Sequence, residues 1–391
     1  MIRMTVDLAL SGFDLAAWLY LLFARGGFWR ADIRDDDGTS FAPAEWCSVI
    51  AVVPARNEAK IIANSLSSLL NQDYATPLKV ILVDDQSDDG TADAARAAAE
   101  RAGGSDRLTI LRGEPLPQVW TGKLWAMKQG VAQASSLADP PHYLLLTDAD
   151  IAYEPDVIRR LVSRAEAGSL VLTSLMVKLR CESLAERALI PAFVFFFQML
   201  YPFAWTNRHD SKMAAAAGGC MLVRRDALEA AGGIEAIRSS LIDDCALGRS
   251  MKRQGPIWLG LTDSVHSLRP YPGLGDIRRM VSRSAYDQLN YSPLQLAGAV
   301  AGMLLTYLLP PLFAIFGSGL AQAMGAVTWG LMAFAFLPIV RFYRLSPLWA
   351  VALPVIAALY MVFTLDSAVQ HWRGRGGLWK GRVQARRAEA S

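Results

Sequence analysis

The sequence has no closely spaced cysteines, no strong excess of charge of either sign and no array of interleaved basic and aromatic residues. Each absence excludes a class of protein. The four cysteines, Cys47, Cys181, Cys220 and Cys245, lie far apart and lack the CxxC spacing of a zinc or redox motif, so reduced, mostly buried thiols are expected. A net charge of +3 over 391 residues makes no field able to gather RNA or DNA, and no nucleic-acid partner is expected. Charged residues are scarce at 19%, whereas 53% of the chain is hydrophobic, which is too apolar for a soluble protein of this length. Membrane segments account for the excess.

Leu8 to Ala24 is apolar except for Ser11 and Asp14, and is about as long as the shortest segments that span a bilayer. No small-residue cleavage site follows, so an uncleaved anchor is expected rather than a signal peptide. Arg25, Arg30 and Arg34 come next, and the tendency of such residues to stay inside places the following domain in the cytoplasm. From Trp46 to about Arg269 short apolar runs alternate with helical ones. Ser48–Val53, Lys79–Val83, Leu108–Leu111 and Tyr143–Leu146 read as strands, which predicts an α/β domain with a mainly parallel sheet. After Pro293 three further runs, Leu296–Phe316, Ala321–Val340 and Leu348–Leu365, are long enough or nearly so to span. The expected organisation is an anchor and linker over 1–45, an α/β domain over 46–292, membrane helices over 293–370 and a basic tail over 371–391. Ala188–Trp205 is also apolar, but its two prolines and Gln198 fit a helix lying in the interface, or a buried core helix. The tail, with Arg373, Arg375, Lys380, Arg382, Arg386 and Arg387, would emerge outside after three crossings, against the positive-inside rule. Either one segment is re-entrant or the tail departs from the rule.

Three acidic motifs carry the chemistry. In VVPARNEA (Val52–Ala59) and VILVDDQSDDGTAD (Val80–Asp93), a strand runs into Asp84 and Asp85, then a turn with Gly90 and a helix from about Thr91. Ligands of open α/β sheets bind at that carboxyl edge, where carboxylates can accept from a uracil ring or ribose hydroxyls, with Pro54, Asn57 and Glu58 on the neighbouring loop. Alternatively Asp85, Ser87 and Asp88 form an Asx-type turn that caps the helix. LLLTDADI (Leu144–Ile151) carries Asp148 and Asp150 at a strand end, where both can reach a hard cation and leave positions for diphosphate oxygens. In SSLIDDCAL (Ser239–Leu247), Asp243 and Asp244 open a helix; a cap explains one of them, and the other is free to act as a base. Asp244 is the expected base toward an acceptor hydroxyl, with Asp243 orienting it or taking the cap. Lys123, in QVWTGKLWA beside Trp120, either meets diphosphate or acceptor or is a solvated lysine. His266, in an apolar strand-like stretch, reads as a satisfied core histidine.

The order VVPARNE, VDDQSDDGT, TDAD and IDDCAL resembles the family 2 glycosyltransferases with the GT-A fold, and their membrane-bound ceramide-glucosyltransferase-like branch. GKLWA, FVFFFQMLYPF, AAAAGGCMLV and LIDDCAL resemble the hopene-associated subgroup. The resemblance implies a Rossmann-like GT-A domain, a UDP-sugar donor, Mg²⁺ or Mn²⁺, an inverting single displacement and a lipid acceptor at a bacterial-type inner membrane. It assigns Asp84 and Asp85 to the nucleotide, Asp148 and Asp150 to metal and diphosphate, and Asp244 to the base. Gly218 and Gly219 fall where the family brings a small-residue turn close to the sugar. The family's (Q/R)xxRW motif is eroded, since Met280 and Ser284 replace its ends while Arg283 remains to meet the diphosphate with Arg279. Addition of a single sugar is therefore expected rather than polymer synthesis. Transfer to a polyprenyl phosphate and an inactive scaffold are the competing readings; a glycoside hydrolase would leave the nucleotide motifs unexplained.

Overall fold

A computed structural model describes residues 2–36, 42–43, 45–379 and 382–383; Lys380, Arg386 and Arg387 of the basic tail and part of the linker lie outside them. The chain divides into two compact units, one of Met1–Asp32, Cys181–Ala204 and Tyr271–Gly377, the other of Ile33–Arg180, Trp205–Pro270 and Leu378–Ser391.

The second unit is built on an eight-stranded sheet. Its strands are β1 Val49–Ala55, β2 Lys79–Asp84, β3 Leu108–Arg112, β4 Tyr143–Thr147, β5 Ile151–Tyr153, β6 Leu172–Lys178, β7 Cys220–Arg224 and β8 Ile257–Ser267, in the order β3-β2-β1-β4-β7-β6-β8-β5. All four expected strands form. β1, β2, β3 and β4 pair in parallel, as do β6 and β8, whereas β7 runs antiparallel to both β4 and β6, and β5 antiparallel to β8. The middle of the sheet is buried on both faces, which is why β1, β2 and β4 are largely apolar rather than alternating, whereas the edge strand β3 is only half-buried. Val49, Ala51 and Val53 of β1 pack in a cluster with Ile62, Leu66, Ala95, Ile158 and Leu161 from helices on one side. Ile50 and Val52 face Leu124, Met127, Leu247 and Met251 on the other. Helix Gly122–Ser135 lies very close to the sheet at Gly130, where a Cβ would come within 2.5 Å of Val52 Cγ1 and 3.0 Å of Val83 Cγ2. Helix Asp243–Lys252 is seated in the same way, since a Cβ on Gly248 would meet the Ala215 carbonyl carbon at 2.7 Å.

The first unit is helical. Four of its helices, Met4–Ala24, Pro293–Phe316, Gly319–Phe342 and Leu353–Trp372, are long and apolar enough to cross a membrane. They leave large apolar side chains such as Phe23, Phe316 and Val355 exposed, as a lipid-facing surface requires. Pro293–Phe316 is interrupted by a π turn at Leu304–Leu308. Pro310 has no N–H, so the Thr306 carbonyl four residues earlier lacks its intrahelical donor. The buried Trp18 indole supplies one at 2.7 Å. The expected apolar helix near 188–205 is Leu184–Leu200, opened by a Ser183/Glu186 capping box, with Pro191 inside it and Gln198 buried. It belongs to this same helical unit.

Candidate active site

The parallel strands β1, β2 and β4 end together, and the first two acidic motifs follow directly from them. After β2 the turn is pinned by its own polar groups. Asp84 accepts from the Ser87 N–H at 3.1 Å, so the Asx-type turn exists but is made by Asp84 rather than Asp85. Gly90, at a φ of 86°, holds the cap position of helix Thr91–Arg101, and Asp89 just before it accepts from the Thr91 N–H at 3.1 Å. The Asp85 carboxylate is fully buried, 3.9 Å from the Arg56 guanidinium. The loop after β1 locks onto this turn: Asn57 donates its N–H to Ser87 and accepts from the Asp88 N–H, while Glu58 donates its N–H to Thr91 at 2.8 Å. Pro54 sits in β1 itself, paired in register with Val83.

Lys123 stands in the first turn of helix Gly122–Ser135, which Thr121 caps. Because Gly130 seats that helix on β1 and β2, the ammonium reaches two of the acidic motifs at once. Its Nζ lies 2.8 Å from Asp148 Oδ1 and 3.0 Å from Asp243 Oδ2. Asp148 and Asp243 are 95 residues apart in sequence, and the reading of Lys123 as a solvated lysine does not survive. Burial works against the ammonium, but the two carboxylates outweigh it and hold its pKa above the usual lysine value. Burial raises the Asp148 pKa, against the pull of Lys123 and helped by the charge of Asp150. Neither Asp243 nor Asp244 makes the cap expected of one of them, since Ile242 holds that position without a side-chain bond. Asp244 instead accepts from the Gly218 N–H at 3.0 Å and from the Cys245 N–H at 2.7 Å. Desolvation, and then the neighbouring Asp243 charge, push its pKa up to about 6, with Lys123 and the two N–H donors opposing them.

Asp150 is held from another direction. Arg269, just beyond β8, donates to Asp150 Oδ2 at 2.7 Å and to Glu58 Oε1 at 2.6 Å, tying the DxD turn to the β1 loop. This residue is a member of the site that the sequence reading missed. Gly219, which opens onto β7, has its carbonyl fixed by the Thr147 hydroxyl at 2.8 Å and the Tyr153 hydroxyl at 3.2 Å, and a Cβ there would come within 2.6 Å of Val177 Cγ2. Gly218 lies closer to the acids, where an added Cβ would sit 3.4 Å from both Asp244 Oδ2 and Lys123 Nζ. The sheet unit thus brings together Asp148, Asp243, Asp244, Lys123, Gly218 and Gly219, and beside them Asp150, Glu58 and Arg269. Arg283 belongs to the helical unit, where it ends helix Leu274–Ser282, and Arg279 in that helix pairs with Asp276. His266 is half-buried in β8 opposite Ala152. Of the cysteines only Cys220 and Cys245 are buried, with Cys47 and Cys181 partly exposed.

An α/β sheet of this kind, whose parallel half ends in carboxylates and whose other half returns antiparallel, is the architecture of the GT-A glycosyltransferases. The chain belongs to glycosyl transferase family group 2, which matches residues 144–364, and glycosyl transferase family 2 matches residues 50–232. It is a glycosyltransferase. Among solved structures, the mannosyltransferase PcManGT from Pyrobaculum calidifontis, in complex with GDP-Man and Mn²⁺, is 18% identical with a TM-score of 0.56. That likeness covers 93% of this chain and 99% of that one, and at this identity it carries the fold alone. Mannosyl-3-phosphoglycerate synthase from Rubrobacter xylanophilus (15% identity, TM-score 0.38, covering 71% and 84% of the two chains) is more distant. So is M. tuberculosis glucosyl-3-phosphoglycerate synthase (19%, 0.39, 60% and 78%). No curated protein matches the sequence.

Proposed function

We propose that this chain is a membrane-embedded inverting glycosyltransferase that moves one sugar from a nucleotide-diphosphate sugar to the hydroxyl of a membrane lipid at the cytoplasmic face of a bacterial-type inner membrane. The observation that carries the reading is the junction made by Lys123, one ammonium shared by the DxD aspartate Asp148 and by Asp243, next to the Asp244 carboxylate. Donor-leaving-group and acceptor chemistry need those groups side by side. The four long apolar helices on the same chain favour a lipid acceptor over a soluble one. The resemblance favours a UDP-sugar and a hopanoid-related alcohol, and the loss of the tryptophan at Ser284 favours a single addition.

In this reading the acceptor oxygen attacks the anomeric carbon while Asp244 takes its proton, and the bond to the nucleoside diphosphate breaks on the opposite face. The Gly218 and Cys245 N–H groups fix the Asp244 carboxylate, and its raised pKa strengthens it as a base near neutral pH. Lys123 stabilises negative charge gathering on the departing diphosphate. Asp84, Asp85 and the Pro54–Glu58 loop form the nucleotide edge, and Arg283 is assigned to the diphosphate. Asp148 and Asp150 fit Mg²⁺ or Mn²⁺ in donor chemistry, since both are hard oxygen donors gathered at one strand end and each is balanced by a protein cation. When bound, the ion supplies charge that neutralises the leaving group. The Mn²⁺ in the mannosyltransferase neighbour supports that choice of cofactor.

The test is turnover. Purified protein is incubated with a panel of UDP-sugars, Mn²⁺ and total lipid extract, and one lipid is expected to gain a single hexose-sized mass. Asp244→Asn should abolish most of that product; full retention of turnover would indicate an acceptor that is already an anion, such as a polyprenyl phosphate. Donor binding with no product from any lipid fraction would leave an inactive scaffold.

A further inference from the structure

A second cluster of metal-type ligands lies in the sheet unit, at the opposite end of the strands. Cys47 stands two residues before β1, His142 immediately before β4, and Glu166 in the last turn of helix Val157–Ala167. One ligand atom from each, the thiol sulfur, an imidazole nitrogen and a carboxylate oxygen, lies within 4.8 Å of the other two. Glu166 Oε1 is 3.6 Å from Cys47 Sγ and 3.9 Å from His142 Nε2. Around a tetrahedral zinc ion with ordinary Zn–S, Zn–N and Zn–O bonds, ligand atoms sit about 3.4–3.7 Å apart, so these groups need to move by only tenths of an ångström to roughly 1 Å.

Three further features are those of a supported site. The Tyr143 hydroxyl donates to Glu166 Oε1 at 2.6 Å, the kind of outer bond that orients a ligating carboxylate. The backbones carrying Cys47 and His142 are fixed: the Tyr74 hydroxyl donates to the Cys47 carbonyl at 2.7 Å, and the His142 N–H donates to the Ser48 hydroxyl at 3.1 Å. Charge also matches, because a thiolate, a carboxylate and a neutral imidazole sum to that of a divalent cation's counter-charge. The exposed Glu45, two residues before Cys47, adds negative charge at the same place. Spacing along the sequence gives no hint of this set, since the parallel β1–β4 pairing brings Cys47 and His142 together and the packing of helix Val157–Ala167 on the sheet adds Glu166.

We propose that Cys47, His142 and Glu166 form a peripheral site for a borderline-soft divalent cation of the zinc type, with a fourth position open to water beside the exposed His142. Binding exchanges the Cys47 thiol proton, released to solvent, for the metal–sulfur bond. It ties the segment entering β1 to the start of β4 and to helix Val157–Ala167. The site stands apart from Asp148, which follows the end of β4 six residues beyond His142, roughly 20 Å at the rise of an extended strand.

The experiment uses the full chain in detergent, stripped with chelator, in an Asp148→Asn/Asp150→Asn background so that the proposed diphosphate-site carboxylates cannot contribute. Zn²⁺ is titrated calorimetrically, and Co²⁺ is added in parallel to read thiolate-to-cobalt charge transfer in the near ultraviolet. One equivalent of Zn²⁺ and a charge-transfer band are expected. Cys47→Ser should remove the band and weaken Zn²⁺ at least tenfold; His142→Ala should weaken it comparably; Cys181→Ser should change neither. Circular dichroism on each variant separates loss of ligand from loss of fold. Absence of Zn²⁺ uptake, or uptake and a band that persist in folded Cys47→Ser protein, would overturn the proposal. Neither result bears on sugar transfer.

Discussion

Replacing Lys123 with Met removes the one charge that Asp148 and Asp243 share, while keeping a side chain of similar length on helix Gly122–Ser135. Breaking a buried ion pair by deleting one partner costs about 3–5 kcal/mol, because the remaining charge is stranded in a poor solvent. Here the lysine side chain is 16% exposed, Asp243 16% and Asp148 35%, so water screens part of the stranded charge. A loss of about 2–4 kcal/mol follows. For a unit of this size each kcal/mol lowers Tm by about 2–4 °C, which puts the variant some 4–16 °C below the parent in EDTA. If Asp148 belongs to a divalent-ion site, Mn²⁺ restores positive charge where the ammonium stood. The Mn²⁺-induced rise in Tm should then be larger in Lys123→Met than in the parent. Both quantities are read by intrinsic-fluorescence melting in one detergent, with and without Mn²⁺, at a single scan rate because membrane proteins often unfold irreversibly. A Tm in EDTA equal to the parent's would refute the shared-ammonium argument; an equal Mn²⁺ increment in both proteins would refute the overlap of lysine and metal.

Three other perturbations test neighbouring parts of the site. Asp244 has its pKa pushed from 3.8 to about 6, so the folded state binds more protons than the unfolded one between those values. Stability should therefore fall as pH rises through about 4–6, by up to about 3 kcal/mol. Asp244→Asn should flatten that dependence in chemical denaturation, and the parent's transfer rate should decline below about pH 6, where its base is protonated. Arg269→Gln removes the guanidinium that the buried Asp150 and Glu58 share, and should cost about 2–4 kcal/mol, partly recovered by Mn²⁺ in the same melting assay. Gly130→Ala places a Cβ against Val52 and Val83, and should cost about 1–3 kcal/mol while lowering donor affinity, because the helix that lifts away carries Lys123.

The parts of the fold legible in the sequence are those set by local pattern. The cores of β1, β2 and β4 are apolar runs because the sheet is covered on both faces there, β3 is a shorter, half-buried edge strand, and each of the four was placed within two residues of its observed start. The apolar helices Pro293–Phe316, Gly319–Phe342 and Leu353–Trp372 were legible too, with starts three, two and five residues from the expected Leu296, Ala321 and Leu348, the last because Leu348–Val351 forms a separate short helix. The antiparallel strands β5 and β7 were not legible. β5 is only three residues long and β7 follows a run of alanines, and both owe their conformation to partners far along the chain. Arg269 was missed for the same reason: it reaches Asp150 because β8 lies antiparallel to β5, a pairing that no local period encodes.

The site shows why acidic motifs could be recognised while their roles stayed open. A carboxylate at a strand end or helix start looks the same in sequence whether it caps, pairs or reacts, and only its partners decide. Asp84 and Asp89 accept from backbone N–H groups of the turn before helix Thr91–Arg101 and so help to fix its shape. Asp148, Asp150 and Asp243 are instead neutralised by long cationic side chains from elsewhere in the sheet unit, Lys123 and Arg269. Such cations stabilise the acids with no ion bound, yet a lysine or arginine head can swing away when a stronger cation and a diphosphate arrive, whereas a backbone N–H cannot. Asp244, unlike Asp148, Asp150 and Asp243 among the described residues, is held by two backbone N–H groups, so its carboxylate stays in place while its neighbours exchange partners. That fixed geometry, joined to a pKa pushed up to about 6, fits the proposed role of Asp244 as the base, and it separates Asp244 from Asp243 on grounds the IDD motif could not supply.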